Sequence, residues 1–148
     1  MDSIAPFLGL VLRAGRLAVG EEPVGTACRS HKARLLLLAS DAADNTIRRA
    51  LQFSQAGTIP CLTLSLNKEA LGACLGRASC AMLAITDAGF AAGLAEKLAK
   101  EDPEQYGQVQ LLLSQKAARI KRRQKETRRE KAAAARGNQG RKSQHKDR

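Results

Sequence analysis

The chain has 148 residues, enough for one domain with a hydrophobic core or for a domain of about 100 residues with an extension. Its 25 Lys and Arg outnumber its 14 Asp and Glu, so the formal net charge is +11. Residues 116–148 hold 14 of the basic and three of the acidic residues, which leaves residues 1–115 formally neutral. This distribution favours a neutral domain followed by a basic tail.

The composition of the tail limits what it can bind. Dense positive charge attracts nucleic acid, an anionic membrane surface or an acidic protein. A membrane is the weakest of these, because lipid-surface helices carry large apolar residues and the tail has only Ile120. The tail also lacks aromatic residues, so its contacts with nucleic acid should be made with phosphates and be independent of sequence.

Targeting and metal-binding signals are missing from the sequence. Asp2 precedes the first apolar residues, no Lys or Arg does, and no stretch reaches the roughly 18 apolar residues that span a bilayer. Four cysteines lack zinc-site spacing and are expected to be reduced, buried thiols: Cys28, Cys61, Cys74 and Cys80. We therefore expect a cytoplasmic protein that needs no metal or cofactor.

Helices and strands are predicted to alternate along the first hundred residues. Hydrophobic periodicity and turn residues predict, in order, helix 4–12, strand 16–19, helix 21–31, strand 35–39, a helix between a cap at residue 44 or 45 and a stop at residue 57, strand 59–64, helix 68–75, strand 81–85 and helix 88–100. Asp44 or Asn45, Asn67 and Asp87 are expected helix caps, and Gly57 is an expected left-handed stop. Pro60 cannot donate a hydrogen bond to a neighbouring strand, so the start of the third strand is expected to be at a sheet edge or in an entry turn.

This order predicts an α/β fold. Alternating elements favour a three-layer α-β-α sandwich with helices on both faces of a four-stranded mixed sheet, here over residues 1–101. Residues 102–148 form the predicted extension: a thin apolar stripe from Val109 to Ile120 indicates a helix, and disorder is expected from Gly137 onward. The extension is thus expected to be partly helical and then disordered.

Catalytic motifs are not found. Asp41 and Asp44 follow a central strand, where an acid/base pair is conceivable, but a strand turn and a helix cap explain them better. His31 has no acid or nucleophile at a characteristic spacing, and the glycines fit neither a dinucleotide-binding nor a phosphate-loop pattern. We expect a protein that is not an enzyme and has no small-molecule substrate.

Four segments carry a family resemblance. LGLVLRAGRLAVGEEPV (8–24), KARLLLLASDAADNT (32–46), IPCLTL (59–64) and KEALGACLGR (68–77) resemble, in this order, the bacterial YlxQ-like branch of the kink-turn-RNA-binding ribosomal-protein superfamily. That superfamily also includes archaeal and eukaryotic large-subunit ribosomal proteins and Gadd-type stress proteins. The resemblance covers about residues 5–100 and implies a ribosomal or ribosome-associated protein that binds structured RNA.

The resemblance also implies where RNA would bind. The family grips a bent RNA internal loop with the start of its second helix and the loop after its fourth. Its Gly is matched here by Gly20 and an acid by Glu22, but Pro23 replaces a Glu and Thr26 replaces a Lys. The family's Lys would neutralise a phosphate and its Asn would read a base edge, so the loss of both should weaken kink-turn recognition or shift the protein to another RNA.

From the resemblance and from charge, sixteen residues are expected to bind RNA. In the body they are Gly20, Glu21, Glu22, Thr26, Arg29, Lys32, Leu71, Gly72, Gly76 and Arg77. In the tail they are Lys121, Arg122, Arg123, Lys125, Arg128 and Arg129.

Two other functions fit the sequence. A Gadd-like protein-interaction module would have lost RNA recognition and would dock an acidic partner through its tail. Non-specific nucleic-acid binding through the tail would make duplex DNA compete as well as RNA. Because all three functions use the same tail, the sequence leaves them open.

Overall fold

The computed structural model describes the backbone of residues 4–146 and the side chains of residues 4–135. It divides into two compact units, the first ending at Ser114 and the second beginning at Gln115. The expected disorder from Gly137 onward concerns residues whose side chains lie outside this description.

The first unit contains the predicted alternation of helices and strands. Its elements are α1 (Ile4–Arg13), β1 (Leu17–Val19), α2 (Glu21–Arg29), β2 (Leu35–Leu38), α3 (Asp44–Gly57), β3 (Cys61–Thr63), α4 (Lys68–Cys74), β4 (Met82–Ile85) and α5 (Ala88–Glu101). The last helix, α6 (Pro103–Lys146), begins in this unit. The predicted element order is confirmed, and only the ends of elements differ.

The four strands form one mixed sheet in the order β1-β4-β2-β3. β2 and β3 are parallel, whereas β4 is antiparallel to both β1 and β2. β1, β2 and β3 therefore end at the same edge, and β4 begins there. We call this edge, with the turns that leave it, the carboxyl edge. β3 lies at a side of the sheet, as Pro60 indicated.

Each face of the sheet is covered by helices, which confirms the three-layer sandwich. Leu35 and Leu37 of β2 pack into a cluster with α1, α4 and α5, while Leu36 and Leu38 pack with α2 and α3. All four residues of β2 are buried, because successive side chains in a strand point to opposite faces and both faces are covered. The continuous apolar run in the sequence reflects this double burial.

Most predicted helix ends are confirmed. The Asn67 side chain accepts a hydrogen bond from the Ala70 amide at 2.8 Å, and Asp87 accepts one from Phe90 at 2.9 Å. Both side chains satisfy first-turn amides that lack a partner within the helix. Gly76, just after α4, has a φ of 70°, the left-handed conformation that glycine adopts without strain.

The two predicted ends of α3 are wrong. Ala43 is the N-cap and makes no side-chain cap hydrogen bond, so Asp44 is instead the first helical residue, where its charge favours the helix dipole. At the other end Thr58, with a φ of 52°, takes the left-handed position expected of Gly57. Gly57 serves packing instead: a Cβ there would lie 2.6 Å from Cδ1 of Ile59.

The start of α6 belongs to the core of the first unit. Tyr106 and Leu113 are buried in the same cluster as α1, α4 and α5. They lie seven residues apart, two helical turns, and so share one face of α6. The Tyr106 hydroxyl donates a hydrogen bond to the Thr63 carbonyl at 3.0 Å. The compact unit thus extends past residue 101, where the sequence suggested a boundary.

The second unit consists of the rest of α6. The helix runs to Lys146, past residue 137, where the sequence predicted disorder. Lys, Arg, Gln, Glu and Ala, which are all good helix formers, make up most of residues 115–136. Within residues 4–146, no helix is both long and apolar enough to cross a membrane.

Candidate nucleic-acid interface

The carboxyl edge brings together the two segments that the resemblance implicates. Gly20, which precedes α2, donates its amide hydrogen to the Met82 carbonyl at 3.0 Å. Residues 75–81, the α4–β4 loop, end at this same position, because β4 begins at Met82. The first turn of α2 and the α4–β4 loop, far apart in sequence, are therefore neighbours in the fold.

Gly20 has a conformation that favours glycine. Its φ of 94° lies in a region that L side chains rarely adopt, and this geometry turns the chain from β1 into α2. Its carbonyl accepts the Val24 amide hydrogen at 3.1 Å, which closes the first helical turn. The amides of Glu21 and Glu22 complete an anion-receptive terminus, but Pro23 has no amide hydrogen to contribute.

Acidic side chains oppose anion binding at this terminus. Glu21 forms an ion pair with Arg49 of α3, with 2.8 Å between Oε2 and Nη1, and both side chains are well exposed. A groove of about 560 Å³ follows the two helices, lined by Glu21, Glu22, Arg29, Arg49 and Phe53. Two arginines and two glutamates thus balance each other across this groove.

Thr26 and Arg29 lie together on the exposed face of α2. The Thr26 hydroxyl donates a hydrogen bond to the Glu22 carbonyl at 3.1 Å, and one Arg29 guanidinium nitrogen lies 3.5 Å from the same hydroxyl oxygen. The positive charge of Arg29 therefore lies beside the position where the family has a Lys. Arg29 partly restores the cation that Thr26 lacks.

Lys32 lies away from the other predicted site residues. α2 begins at the carboxyl edge and runs back along the sheet, and Lys32 follows its end. The nearby Arg34 amide donates a hydrogen bond to Ile85, at the far end of β4, at 2.7 Å. The structure therefore does not bring Lys32, a predicted phosphate contact, together with Gly20, because the helix carries it to the opposite edge of the sheet.

Leu71 and Gly72 support the α4–β4 loop from beneath. Leu71 is fully buried, so its side chain packs in the core and the prediction that it contacts RNA is wrong. A Cβ at Gly72, which is also buried, would lie 2.6 Å from the Ser79 Cα, so glycine lets the loop backbone rest on α4. Gly76 and Arg77 are exposed and are the parts of this loop that a ligand can reach.

Asp41 has a structural role at the same edge. Its carboxylate accepts a hydrogen bond from the Lys68 amide at 2.8 Å, which joins the turn after β2 to the start of α4. Among the described residues, no group of three or more His, Cys, Asp or Glu is placed to hold a metal ion.

Comparison with known proteins gives the family. The model of the Ribosomal protein L7Ae/L30e/S12e/Gadd45 family matches residues 2–95, which include every strand and the carboxyl edge. The chain belongs to this family. The match ends before α6, so the basic tail is an addition to the L7Ae-type body.

Individual relatives agree with the family assignment. "RNA-binding protein YlxQ" of Bacillus subtilis is 33% identical over 86 residues, which cover 58% of this chain and 85% of that protein. The Enterococcus faecium protein of the same name is 35% identical over 63 residues, 43% of this chain and 61% of its own. A solved structure from Bacillus halodurans, of unknown function, is 33% identical with a TM-score of 0.58 and covers 62% of this chain and 92% of its own.

Two residues of the L7Ae-type body were missed by the sequence analysis. Arg49 and Phe53 line the groove beside α2, and both come from α3. Arg49 contacts Glu21 across 28 positions of sequence, and a charged residue on an exposed helix face gives no local signal of such a partner. Only the packing of α2 against α3 reveals it.

Buried cysteines underlie both faces of the L7Ae-type body. All four cysteines are free thiols, as predicted, but only Cys28 and Cys80 are fully buried, whereas Cys61 and Cys74 are half-buried. Burial raises the pKa of the Cys28, Cys61 and Cys80 thiols above the ordinary value of 9.0. Raised pKa values keep these thiols neutral and poorly nucleophilic, which fits a packing role.

Within the tail, the described side chains are exposed from residue 121 to residue 135. The six tail residues predicted to bind RNA all lie in this part of α6 and are open to solvent.

Proposed function

We propose that this protein binds a structured RNA of kink-turn type, with shape recognised at the carboxyl edge and phosphate contacts added by the tail. The observation that carries the proposal is the hydrogen bond between Gly20 and Met82, which holds the start of α2 beside the α4–β4 loop. A sharply bent RNA offers unstacked bases and closely spaced phosphates, and two adjacent segments can contact both at once.

The relatives support RNA as the partner. Two relatives that match the body of this chain carry the name "RNA-binding protein YlxQ", and the family is named for ribosomal proteins. A ribosomal or ribosome-associated RNA is therefore the partner that we favour. The net charge of the tail is consistent with that partner, because phosphate contacts need cations and no particular base sequence.

The body by itself should bind weakly. Two glutamates stand at the first turn of α2, and Thr26 occupies the position of the family's Lys. The remaining cations near the carboxyl edge are Arg29, Arg49 and Arg77, and Arg49 is already paired with Glu21. We infer that the body supplies selectivity for shape and the tail supplies most of the affinity.

The test is binding of the full chain to a kink-turn RNA, a straight RNA duplex and a DNA duplex. Arg77→Ala should lower affinity for the kinked RNA about tenfold by removing one charge-assisted hydrogen bond. Arg16→Ala is the matched control, since exposed Arg16 lies at the opposite end of β1 from Gly20. The control should bind like the parent.

The alternatives give different results. If all three nucleic acids bind equally and Arg77→Ala has no effect on affinity, the carboxyl edge does not contribute to binding and the tail alone binds nucleic acid. If none of them binds tightly, an acidic protein becomes the better partner, as in a Gadd-like interaction module.

A further inference from the structure

The charges on the outer part of α6 are sorted by face. Residues four and seven apart share a helical face, so Lys121, Lys125 and Arg128 form one row. Arg122 and Arg129 form a second row directly beside it, again seven residues apart. We call these five residues the basic face.

Each row of the basic face is followed by a small residue, because Ala132 lies four residues after Arg128 and Ala133 four residues after Arg129. Lys125, Arg128, Arg129, Ala132 and Ala133 line one shallow hollow on the helix surface. Alanine leaves the helix backbone open to close approach, and the long side chains on either side can reach past it. Along the helix axis, neighbouring cations of the first row lie about 6 and 4.5 Å apart, and the two cations of the second row lie about 10.5 Å apart.

The other side of the helix is balanced in charge. Glu126 and Glu130 lie there, one helical turn apart, together with Arg119 and Arg123. Two acids and two bases on this side leave the positive charge concentrated on the basic face. Arg123, which the sequence grouped with the other tail cations, is thus on the wrong side of the helix to act with them.

We propose that the basic face docks along the major groove of an RNA duplex, with its two rows of cations on the phosphates of the two strands. The A-form major groove is deep and narrow, so its two phosphate rows lie close together and the bases are out of reach of side chains. The basic face matches these features: it has two cationic rows side by side, and no aromatic or large apolar side chain from residue 121 to 135. This inference rests on the proposed RNA binding and specifies the partner of the tail.

The experiment compares two full-length variants that remove the same charge. The face variant carries Lys121→Gln, Lys125→Gln and Arg128→Gln, and the control carries Lys116→Gln, Arg119→Gln and Arg123→Gln, which lie on the opposite side of the helix. Glutamine is a good helix former, so both should keep α6, which circular dichroism checks. Affinity for a straight RNA duplex, for the same sequence as duplex DNA and for one RNA strand is measured from 50 to 300 mM salt.

The face variant should lose about three phosphate contacts. Its slope of log affinity against log salt should fall by about 2 to 3, and its affinity for the RNA duplex roughly a hundredfold at 0.15 M salt. The control should lose less than one unit of slope. Equal losses in the two variants would overturn the docking model, since charge alone would then explain binding.

The other probes test the choice of partner. The proposal would also be overturned if the parent bound the DNA duplex or the single RNA strand as tightly as the RNA duplex, and the face variant lost the same affinity for it. If the parent protein binds no RNA at all, the proposed function fails as well. Binding of RNA with equal losses in both variants would overturn the face assignment alone.

Discussion

Single residues at the first turn of α2 set its charge and its supply of free amide hydrogens. Glu21 and Glu22 place negative charge at a helix terminus that would otherwise favour an anion, and Pro23 removes one amide donor. The Thr26 hydroxyl donates its hydrogen bond to the Glu22 carbonyl, within its own helix. The first turn of α2 thus keeps the backbone shape that begins at Gly20, while its acidic residues reduce its attraction for anions.

Restoring the family's cation at Thr26 should strengthen RNA recognition. Thr26→Lys places an ammonium group on the exposed face of α2, and one additional phosphate contact should raise affinity for a kink-turn RNA about tenfold. Thr127→Lys is the matched control, because it adds the same charge to the tail, away from the basic face. Equal gains from the two variants in a binding titration would count against a specific site at Thr26.

At the scale of elements, the start of α6 is part of the fold. Tyr106 packs in the core beside α1, α4 and α5 and hydrogen-bonds to the strand β3. Burial raises the pKa of its phenol above the ordinary value of 10.0, and the nearby Asp102 and Glu101 raise it further. The folded state therefore favours the neutral phenol, which keeps its proton as a hydrogen-bond donor.

Removing the Tyr106 hydroxyl tests this attachment. Tyr106→Phe should lower the free energy of unfolding by about 1 kcal/mol near pH 7, because it deletes one hydrogen bond and keeps the ring packed. Because the pKa of the Tyr106 phenol is raised on folding, the phenol stabilises the folded state fully below pH 10, and this stabilisation is lost as pH rises above 10. In urea titrations, the free energy of unfolding of the parent should thus fall more steeply above pH 10 than that of the variant. Parallel curves of this free energy against pH would contradict the prediction.

At the scale of the whole molecule, charge is divided unequally between two parts of the chain. Residues 1–115 are formally neutral, and residues 116–148 carry the entire net charge of +11. The buried cluster of the first unit ends at Leu113, so the body should not need the tail to fold. A neutral body and a charged helix can contribute independently to binding.

A chain ending at Gln115 tests this division. It should unfold at the same urea concentration as the full chain, since the core is intact. Its RNA affinity should depend much less on salt, because most counterion release comes from tail contacts, while its preference for a kinked over a straight RNA should persist. A truncated chain that keeps the full salt dependence would show that the body supplies the cations.

The carboxyl edge shows how far sequence alone could predict the site. Gly20 and the α4–β4 loop were predicted from the family resemblance, and the fold brings them together. Lys32 and Leu71 were predicted with them, yet one lies at the opposite edge of the sheet and the other is fully buried. A residue close in sequence to a site residue can still lie far from the site, because a helix can carry it to the other end of the sheet or turn its side chain into the core.

The sequence by itself determined the order of the helices and strands, the presence of helices on both faces of the sheet, and the division of the chain into a neutral body and a basic tail. These properties follow from local patterns: apolar spacing, turn residues and the count of charged side chains. The tertiary structure alone decided the ion pair between Glu21 and Arg49, the inclusion of Tyr106 in the core and the contact of Gly72 with Ser79. Each of these joins separate segments of the chain, and such contacts depend on how whole elements pack, which no local pattern encodes.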